Sequence, residues 1–193
     1  MNKNNQDSTL EILSGAYKDT YIRLSKYRSI FISEHVTTRL AAEISALLLY
    51  FDNLDHEAPI KMYIHSEGGE VDGLFHIYDT MQMVHAPIET FCIGKCYSAA
   101  AVILAAGSKD HRFAFKNSRV MIHGIQCLFP LPGVDITNSK NYHQFLEDHN
   151  DNIMKVMSQH TGQSLDKIRK DCLEDVWMSA EAAQAYGIID HII

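Results

Sequence analysis

No stretch of this 193-residue chain approaches the ~18 consecutive apolar residues that a membrane-crossing helix requires. The opening residues, Met1 to Asp7, are polar and offer no apolar secretion signal, so a cytoplasmic location is expected. Basic residues are also scarce. Lys and Arg number 17 against 24 Asp and Glu, a net charge of −7. A partner held through phosphates calls for a basic face, so neither nucleic acid nor membrane is expected as a partner. Paired metal-binding cysteines are missing too. Of the four cysteines, Cys92, Cys96, Cys127 and Cys172, the first two form a half-site, but no second pair has zinc spacing. They read as free thiols of a reducing compartment. The 11 histidines are scattered, and His143 and His149, six apart, cannot share one helical face. No metal and no cofactor is expected. There is no glycine-rich phosphate loop, no internal repeat and no low-complexity tract.

What remains is an ordinary globular composition, 46% hydrophobic and 21% charged, in a chain long enough for one domain with a full core. Residues 1–15 are mostly polar and read as a mobile N-terminal segment, with residues 16–193 forming one domain. Residues 16–26 suggest a short helix or extended arm, and residues 29–32 a strand. Thr37 or Thr38 can cap the next helix, where Leu40, Ile44, Leu47, Leu48 and Phe51 share one face. A strand at 61–65 runs into the Ser66–Glu70 turn, whose paired glycines permit unusual dihedrals and close backbone approach. A helix carrying Leu74, Ile77, Tyr78 and Met81 follows, then strands at 88–93, 111–115 and 119–123. This strand–helix alternation predicts an α/β fold of repeated βαβ units with a largely parallel sheet. Ligands then belong at the carboxyl ends of the strands, where Gly68, Gly69, Ser98 and His123 fall. Beyond residue 135 a long polar helix reaches about His160 and reads as a projecting or assembly element. Helices at 165–172 and 180–186 and a strand at 188–192 complete the chain.

Residues 94–107 hold the candidate chemistry. A glycine opens the stretch, one serine follows, and small and aliphatic residues then run to a closing glycine, predicting a tight turn that feeds a buried helix. Ser98 at the helix start has two readings: an N-cap accepting a backbone N–H, or a nucleophile beside donors able to stabilise an oxyanion. Acyl transfer by serine also needs a base and gains from an acid that orients it. Ser98, His123 and either Asp171 or Asp175 supply the types. Lys95 raises the alternative of a Ser–Lys dyad, against the simpler reading of a solvated lysine.

Several blocks together carry a resemblance: Ser66-x-Gly68-Gly69, residues 78–82 (Tyr-Asp-Thr-Met-Gln), residues 94–107, residues 117–123 (Asn-Ser-Arg-Val-Met-Ile-His), residues 160–164 (His-Thr-Gly-Gln-Ser), and Asp175-x-x-Met178-Ser179-Ala180 with Ala183, Tyr186 and Gly187. In order and spacing the chain resembles ClpP, the proteolytic subunit of the Clp protease, over roughly residues 20–193. The resemblance implies a crotonase-like fold with a helical handle used in ring stacking. It implies a ring-forming serine endopeptidase, with heptamers stacked as a tetradecamer, that hydrolyses unfolded polypeptides delivered by a Clp-type AAA+ ATPase. It assigns Ser98 as nucleophile, His123 as general base, Asp175 rather than Asp171 as acid, and the N–H groups of Gly69 and Ala99 as oxyanion donors. Gly68, Glu70 and Val71 on one side, and Gly124 and Ile125 on the other, would pair with an extended substrate. The N-terminal segment would correspond to an axial gate, and ATP would bind only the partner.

The chain also departs from the family pattern. Glu67 replaces the proline of the Ser-Pro-Gly-Gly turn. Lys95, Cys96 and Tyr97 stand where small residues normally precede the serine, and Ala99 replaces a methionine. Residues 124–133 replace a glycine-rich segment and include Pro130 and Pro132, which cannot donate to a ladder. Residues 128–131 are either a protein-contact surface or local packing. Glu174 takes the place of an arginine used in ring stacking. A second hypothesis follows: a weakly active or inactive scaffold subunit that needs a different ClpP-type subunit in a mixed ring. Acyl-CoA chemistry on the related crotonase fold is disfavoured, because the residues offer a serine triad rather than paired catalytic carboxylates.

Overall fold

The computed structural model describes residues 20–126 and 136–193, with side chains described for residues 20–126 and 140–193. The N-terminal gate expectation and the proline-bearing part of the 124–133 segment lie outside these residues. A helical segment, α1 (residues 20–25), precedes β1 (Ser29–Ile32), α2 (Thr38–Leu54), β2 (Ile60–Ser66), α3 (Val71–Met83), β3 (Ile88–Tyr97) and α4 (Ala99–Ala105). Then come β4 (Arg112–Ala114), β5 (Arg119–Ile122), α5 (Ile136–Thr161), α6 (Leu165–Asp171), β6 (Val176–Ser179), α7 (Ala180–Tyr186) and β7 (His191–Ile192). The main sheet runs β1-β2-β3-β4-β7, all parallel, and β5 and β6 branch from the far end of β3. The architecture is the α/β arrangement predicted from the strand–helix alternation.

Local chemistry explains the boundaries. Thr37 caps α2 by accepting the Leu40 N–H at 3.2 Å, which resolves the choice between Thr37 and Thr38. Helix α7 starts on the Ser179 hydroxyl and ends at Gly187 in the left-handed region (φ 92°), the usual glycine C-terminus. Helix α4 is buried at all seven positions, as an all-apolar helix must be. Along β2 every second side chain (Ile60, Met62, Ile64, Ser66) is buried, and the three aliphatic ones pack with Ile103, Leu104 and Leu74 in one core. Each such aliphatic side chain contributes about 1.5–3 kcal/mol by leaving water.

The opposite sheet face has a different solution. Phe31, Tyr63, Phe91, Phe113 and His191 occupy adjacent strands and stack with ring centroids 4.8–5.3 Å apart. Tyr21 of α1 meets the end of this ladder edge-on. The in-register parallel pairing of Phe31 with Tyr63, Tyr63 with Phe91 and Phe91 with Phe113 produces the ladder directly.

Two elements differ from the sequence reading. The turn expected at 94–97 is instead a continuation of β3. Gly94, at φ 78°, kinks the strand, which pairs with β4 through residues 90–92 and with β5 through residues 95–97. Kinking at a glycine lets one strand serve two partners, a feature that local periodicity does not report. The last strand is only His191–Ile192: the Ile188 amide is taken by Ala183 O at 2.9 Å in the C-terminal closure of α7, and Ile188 and Ile189 are buried in the core. Helix α5 is divided in exposure: residues 140–150 are largely exposed, whereas Ile153, Met154 and Met157 are buried. The buried Arg112–Asp190 ion pair ties this region to the sheet, with Arg112 also donating to the His160 carbonyl at 2.8 Å.

Candidate active site

The nucleophile candidate is positioned by strand register. Tyr97 pairs with Met121 in the parallel β3–β5 ladder, and the Ser98 N–H donates to the Met121 carbonyl at 2.8 Å. Ser98 therefore leaves β3 where β5 is about to end at Ile122, one residue before His123. Its backbone has φ 55° and ψ −125°. A non-glycine residue held at positive φ costs on the order of 1–3 kcal/mol and persists only where the surroundings enforce it. Although Ser98 occupies the N-cap position of α4, its side chain makes no capping bond. The hydroxyl is thus not spent on the helix, and the cap reading is set aside.

The glycine turn presses on this elbow. A Cβ on Gly68 (φ 94°) would lie 2.8 Å from Ser98 Cβ, 2.9 Å from Ala99 N and 2.7 Å from the Tyr97 carbonyl oxygen. A Cβ on Gly69 would lie 2.1 Å from the Val36 carbonyl oxygen. Both glycines are required by backbone proximity. Val36 pins the turn: it donates to Gly68 O at 2.8 Å and accepts from Glu70 N at 2.7 Å. In an extended strip alternate residues face opposite sides, so Gly69 presents its N–H and carbonyl away from Val36. Neither group has a partner among the described residues. Ala99 is the first residue of α4, where an N–H has no intrahelical acceptor. Glu70 is fully engaged: its amide bonds Val36, its carbonyl accepts from Leu74, and its carboxylate accepts from Thr38 N (2.8 Å) and Thr38 Oγ1 (2.6 Å).

The base and acid candidates meet through a second register. In the antiparallel β5–β6 pair Ile122 lies opposite Val176, so one step further His123 lies opposite Asp175. His123 Nδ1 is 3.4 Å from Asp175 Oδ1. That is ion-pair distance, but Nδ1 is buried and finds no acceptor with hydrogen-bond geometry. The Asp175 side chain is 41% exposed, the His123 side chain 14%. Gln126 also reaches Asp175 Oδ1 in a long 3.4 Å contact. Asp171 is committed elsewhere. It accepts from Lys167 Nζ and from the Tyr186 hydroxyl at 2.7 Å, and the Lys167 bond is the main reason its carboxyl lies below its ordinary range.

Ser98, Ala99, Gly69, His123, Gly124 and Ile125 all line one cavity of about 110 Å3. Its inner wall is apolar, formed by Val71, Leu74, Val102, Ile153, Met154 and Met157. Cys172 completes the wall; burial pushes its thiol up to about 11, so it remains a neutral thiol rather than a competing nucleophile. Among the described residues the Ser98 hydroxyl makes no hydrogen bond to His123. The Gly124 amide donates to Cys172 O (3.0 Å) and the Ile125 amide to Asn150 Oδ1 (2.9 Å).

The departures from the family pattern find partners. Lys95 Nζ sits 2.6 Å from Glu67 Oε1 and 5.9 Å from the centroid of the Tyr97 ring. That hydrogen bond, with the lysine charge, holds the Glu67 carboxyl below its ordinary range. Tyr97 in turn packs edge-on against Trp177 at 4.9 Å. Val36, Asn150 and Gln126 had no motif to announce them. They act through backbone or amide contacts that only the assembled fold creates.

The family model described as Clp protease matches residues 14–193. With this match spanning nearly the whole chain, and with a largely parallel α/β sheet beneath it, the protein belongs to the Clp protease family of peptidases.

Proposed function

We propose that the chain is the proteolytic subunit of an ATP-dependent Clp protease, a serine endopeptidase acting on unfolded polypeptide inside a ring chamber. The observation that carries this reading is Ser98, at enforced positive φ with an uncommitted hydroxyl, sharing one cavity with His123 and two free backbone donors. Ser98 Oγ attacks the scissile carbonyl carbon and its proton passes to His123. The negative oxygen of the tetrahedral intermediate is held by the Gly69 and Ala99 N–H groups; one such donor is worth about 3–4 kcal/mol. His123 then protonates the departing amine, leaving an acyl-enzyme on Ser98. A water deprotonated by His123 hydrolyses this ester and restores the serine. Asp175 orients the imidazole and balances its charge.

Substrate pairing falls to the Gly69 carbonyl and the Val71 amide on one side, and to the carbonyls of Gly124 and Ile125 on the other. The Glu70 amide is taken by Val36, and the Gly68 amide and carbonyl, expected from the sequence to pair, are taken by Ser66 Oγ and the Val36 amide. The apolar cavity supports cleavage after medium-sized apolar side chains; an apolar cavity of about 150 Å3 holds one benzene. The half-exposed aromatic sheet face and the exposed first half of α5 support assembly into stacked heptameric rings engaging an AAA+ ATPase. Residues 16–193 act as one peptidase domain.

A second reading is favoured by the wide His123–Asp175 contact: a subunit whose triad aligns only beside a different ClpP-type subunit in a mixed ring. A fluorophosphonate probe tests both. Labelling of the purified chain, lost in Ser98→Ala, supports the first reading. Absence of labelling and of peptide cleavage in the homomeric assembly, with both restored by a second subunit, supports the other. Solution mass reports the ring, and a persistent monomer contradicts it.

A further inference from the structure

A second cluster lies at the other end of the strands from Ser98, where Ile60 N donates to Pro87 O as β2 and β3 begin. Asp52, in the last turn of α2, is nearly buried, with its side chain 11% exposed. His56 and His85 converge on it from solvent, the first from just beyond α2 and the second from the α3–β3 connection. His56 Nδ1 lies 3.2 Å from Asp52 Oδ1, and His85 Nδ1 lies 3.6 Å from Asp52 Oδ2. One ligand atom from each residue falls within 4.8 Å of the other two.

We propose that Asp52, His56 and His85 form a binding site for a divalent transition cation of the zinc class. Two imidazole nitrogens and a carboxylate oxygen are the donor set zinc prefers outside thiolate sites. Metal–ligand bonds of about 2.0–2.2 Å in a tetrahedral shell place ligand atoms roughly 3.3 Å apart, close to both Asp–His separations. The shell around the carboxylate is already built. The amides of His85 and Ala86 donate to Asp52 Oδ1 at 2.9 and 2.8 Å. They fix the carboxylate's orientation, with Oδ2 toward His85 and Oδ1 toward His56, the supporting role that outer-shell bonds play at metal sites. The imidazoles are exposed (61% and 79%) and can rotate to close on an ion, leaving its fourth position to water. Arg28, whose guanidinium bonds the same end of α2, is spent on the carbonyls of Phe51, Asp55, Ala58 and Pro59. A bound ion would clamp the end of α2 to the α3–β3 connection, roughly 20–30 Å from Ser98 by strand length.

This reverses the expectation of no metal, which rested on sequence spacing. Asp52 and His56 are one helical turn apart, but His85 reaches them only through the packing of α2 on α3. The test is Zn2+ titration of the tag-free full chain beside a His56→Ala/His85→Ala double variant, with Co2+ as spectroscopic reporter. Asp52 is kept, because removing it would leave the buried Ala86 amide and the part-buried His85 amide unpaired. The expected result is one tight equivalent per chain, a tetrahedral Co2+ spectrum and a zinc-dependent rise in Tm. In the double variant binding weakens about tenfold or more, and the spectrum and the Tm rise are lost. Absence of a tight equivalent in the natural chain, or equal binding by the double variant, overturns the proposal.

Discussion

The two halves of the candidate active site are built to different tolerances. The nucleophile half (Gly68, Gly69, Ser98, Ala99) is locked by backbone. Val36 pins the glycine turn, Met121 holds the Ser98 amide, and α4 is wholly buried. The base half (His123, Asp175, Gly124, Ile125) rests on a four-residue antiparallel pair and on side chains of α5. There the key contact is 3.4 Å long and the acid is substantially exposed. The difference teaches where control can enter. Small shifts of α5 or β6 can bring His123 and Asp175 into line, whereas the Ser98 elbow and the free N–H groups of Gly69 and Ala99 are present whenever the domain is folded. Catalytic hydrogen bonds in unliganded sites are often long and tighten only with substrate.

The largest expected effect comes from the locked half. Ser98→Ala should lower peptide hydrolysis by about 10⁴-fold or more, as loss of a triad nucleophile does. Assembly and Tm should stay near those of the natural chain. Retained hydrolysis would mean that another group attacks.

Gly68→Ala strikes the same half through backbone. At φ 94° a side chain is strained, and the new Cβ would press on Tyr97 O, Ser98 Cβ and Ala99 N at under 3.0 Å. The expectation is a loss of kcat by about 10²–10³-fold, the scale of a displaced oxyanion donor, with about 1–3 kcal/mol of stability lost. Unchanged kcat would show that the elbow is less rigid than its contacts indicate.

The base half should respond more gradually. Asp175→Asn is expected to lower kcat/KM by about 10²-fold, less than the ~10⁴ of a triad acid already hydrogen-bonded to its histidine. Asp171→Asn removes the acceptor of Lys167 and Tyr186 instead. It should cost about 1–2 kcal/mol in denaturant unfolding while kcat stays within about twofold. If the two variants exchange phenotypes, the acid assignment is wrong. A 10⁴-fold loss in Asp175→Asn would show that assembly has already closed the 3.4 Å gap.

The same division governs what could be read from the sequence. The alternation of strands and helices was legible from periodicity, and Gly68, Gly69 and Ser98 from their places at strand ends. Choosing Asp175 over Asp171 required the family pattern, because both are carboxylates near one helix end. The antiparallel register opposite His123 now gives that choice a geometric support. The Val36 clamp was not legible. It joins residues far apart in the chain through backbone atoms, so side-chain identity carries no trace of it. The continuation of β3 through Gly94 was missed for a related reason: glycine followed by Lys95 has turn composition, and only pairing with β5 makes it strand. The aromatic ladder was likewise invisible, since each ring looks like an ordinary strand residue until five strands align.

The smallest effect is expected at the boundary between the halves, where Lys95 and Glu67 replace the residues usual in the family. A Ser–Lys dyad would make Lys95→Ala as damaging as Ser98→Ala. The structure gives the lysine another occupation. Its Nζ is bonded to Glu67 at 2.6 Å and lies over the Tyr97 ring, which is braced by Trp177. Such a pair between solvent-accessible groups is screened by water and salt and stabilises little. Its role is local: it substitutes an ionic tether for the stiffness of proline beside Gly68. Lys95→Ala and Glu67→Gln should therefore each change kcat by no more than about threefold, with the difference from the natural chain shrinking as salt is raised. A thousandfold fall confined to Lys95→Ala would identify the lysine as the base and remove His123 from that role. Equal small losses in both variants, disappearing together in high salt, would show that the tether merely steadies the turn against which the nucleophile half is built.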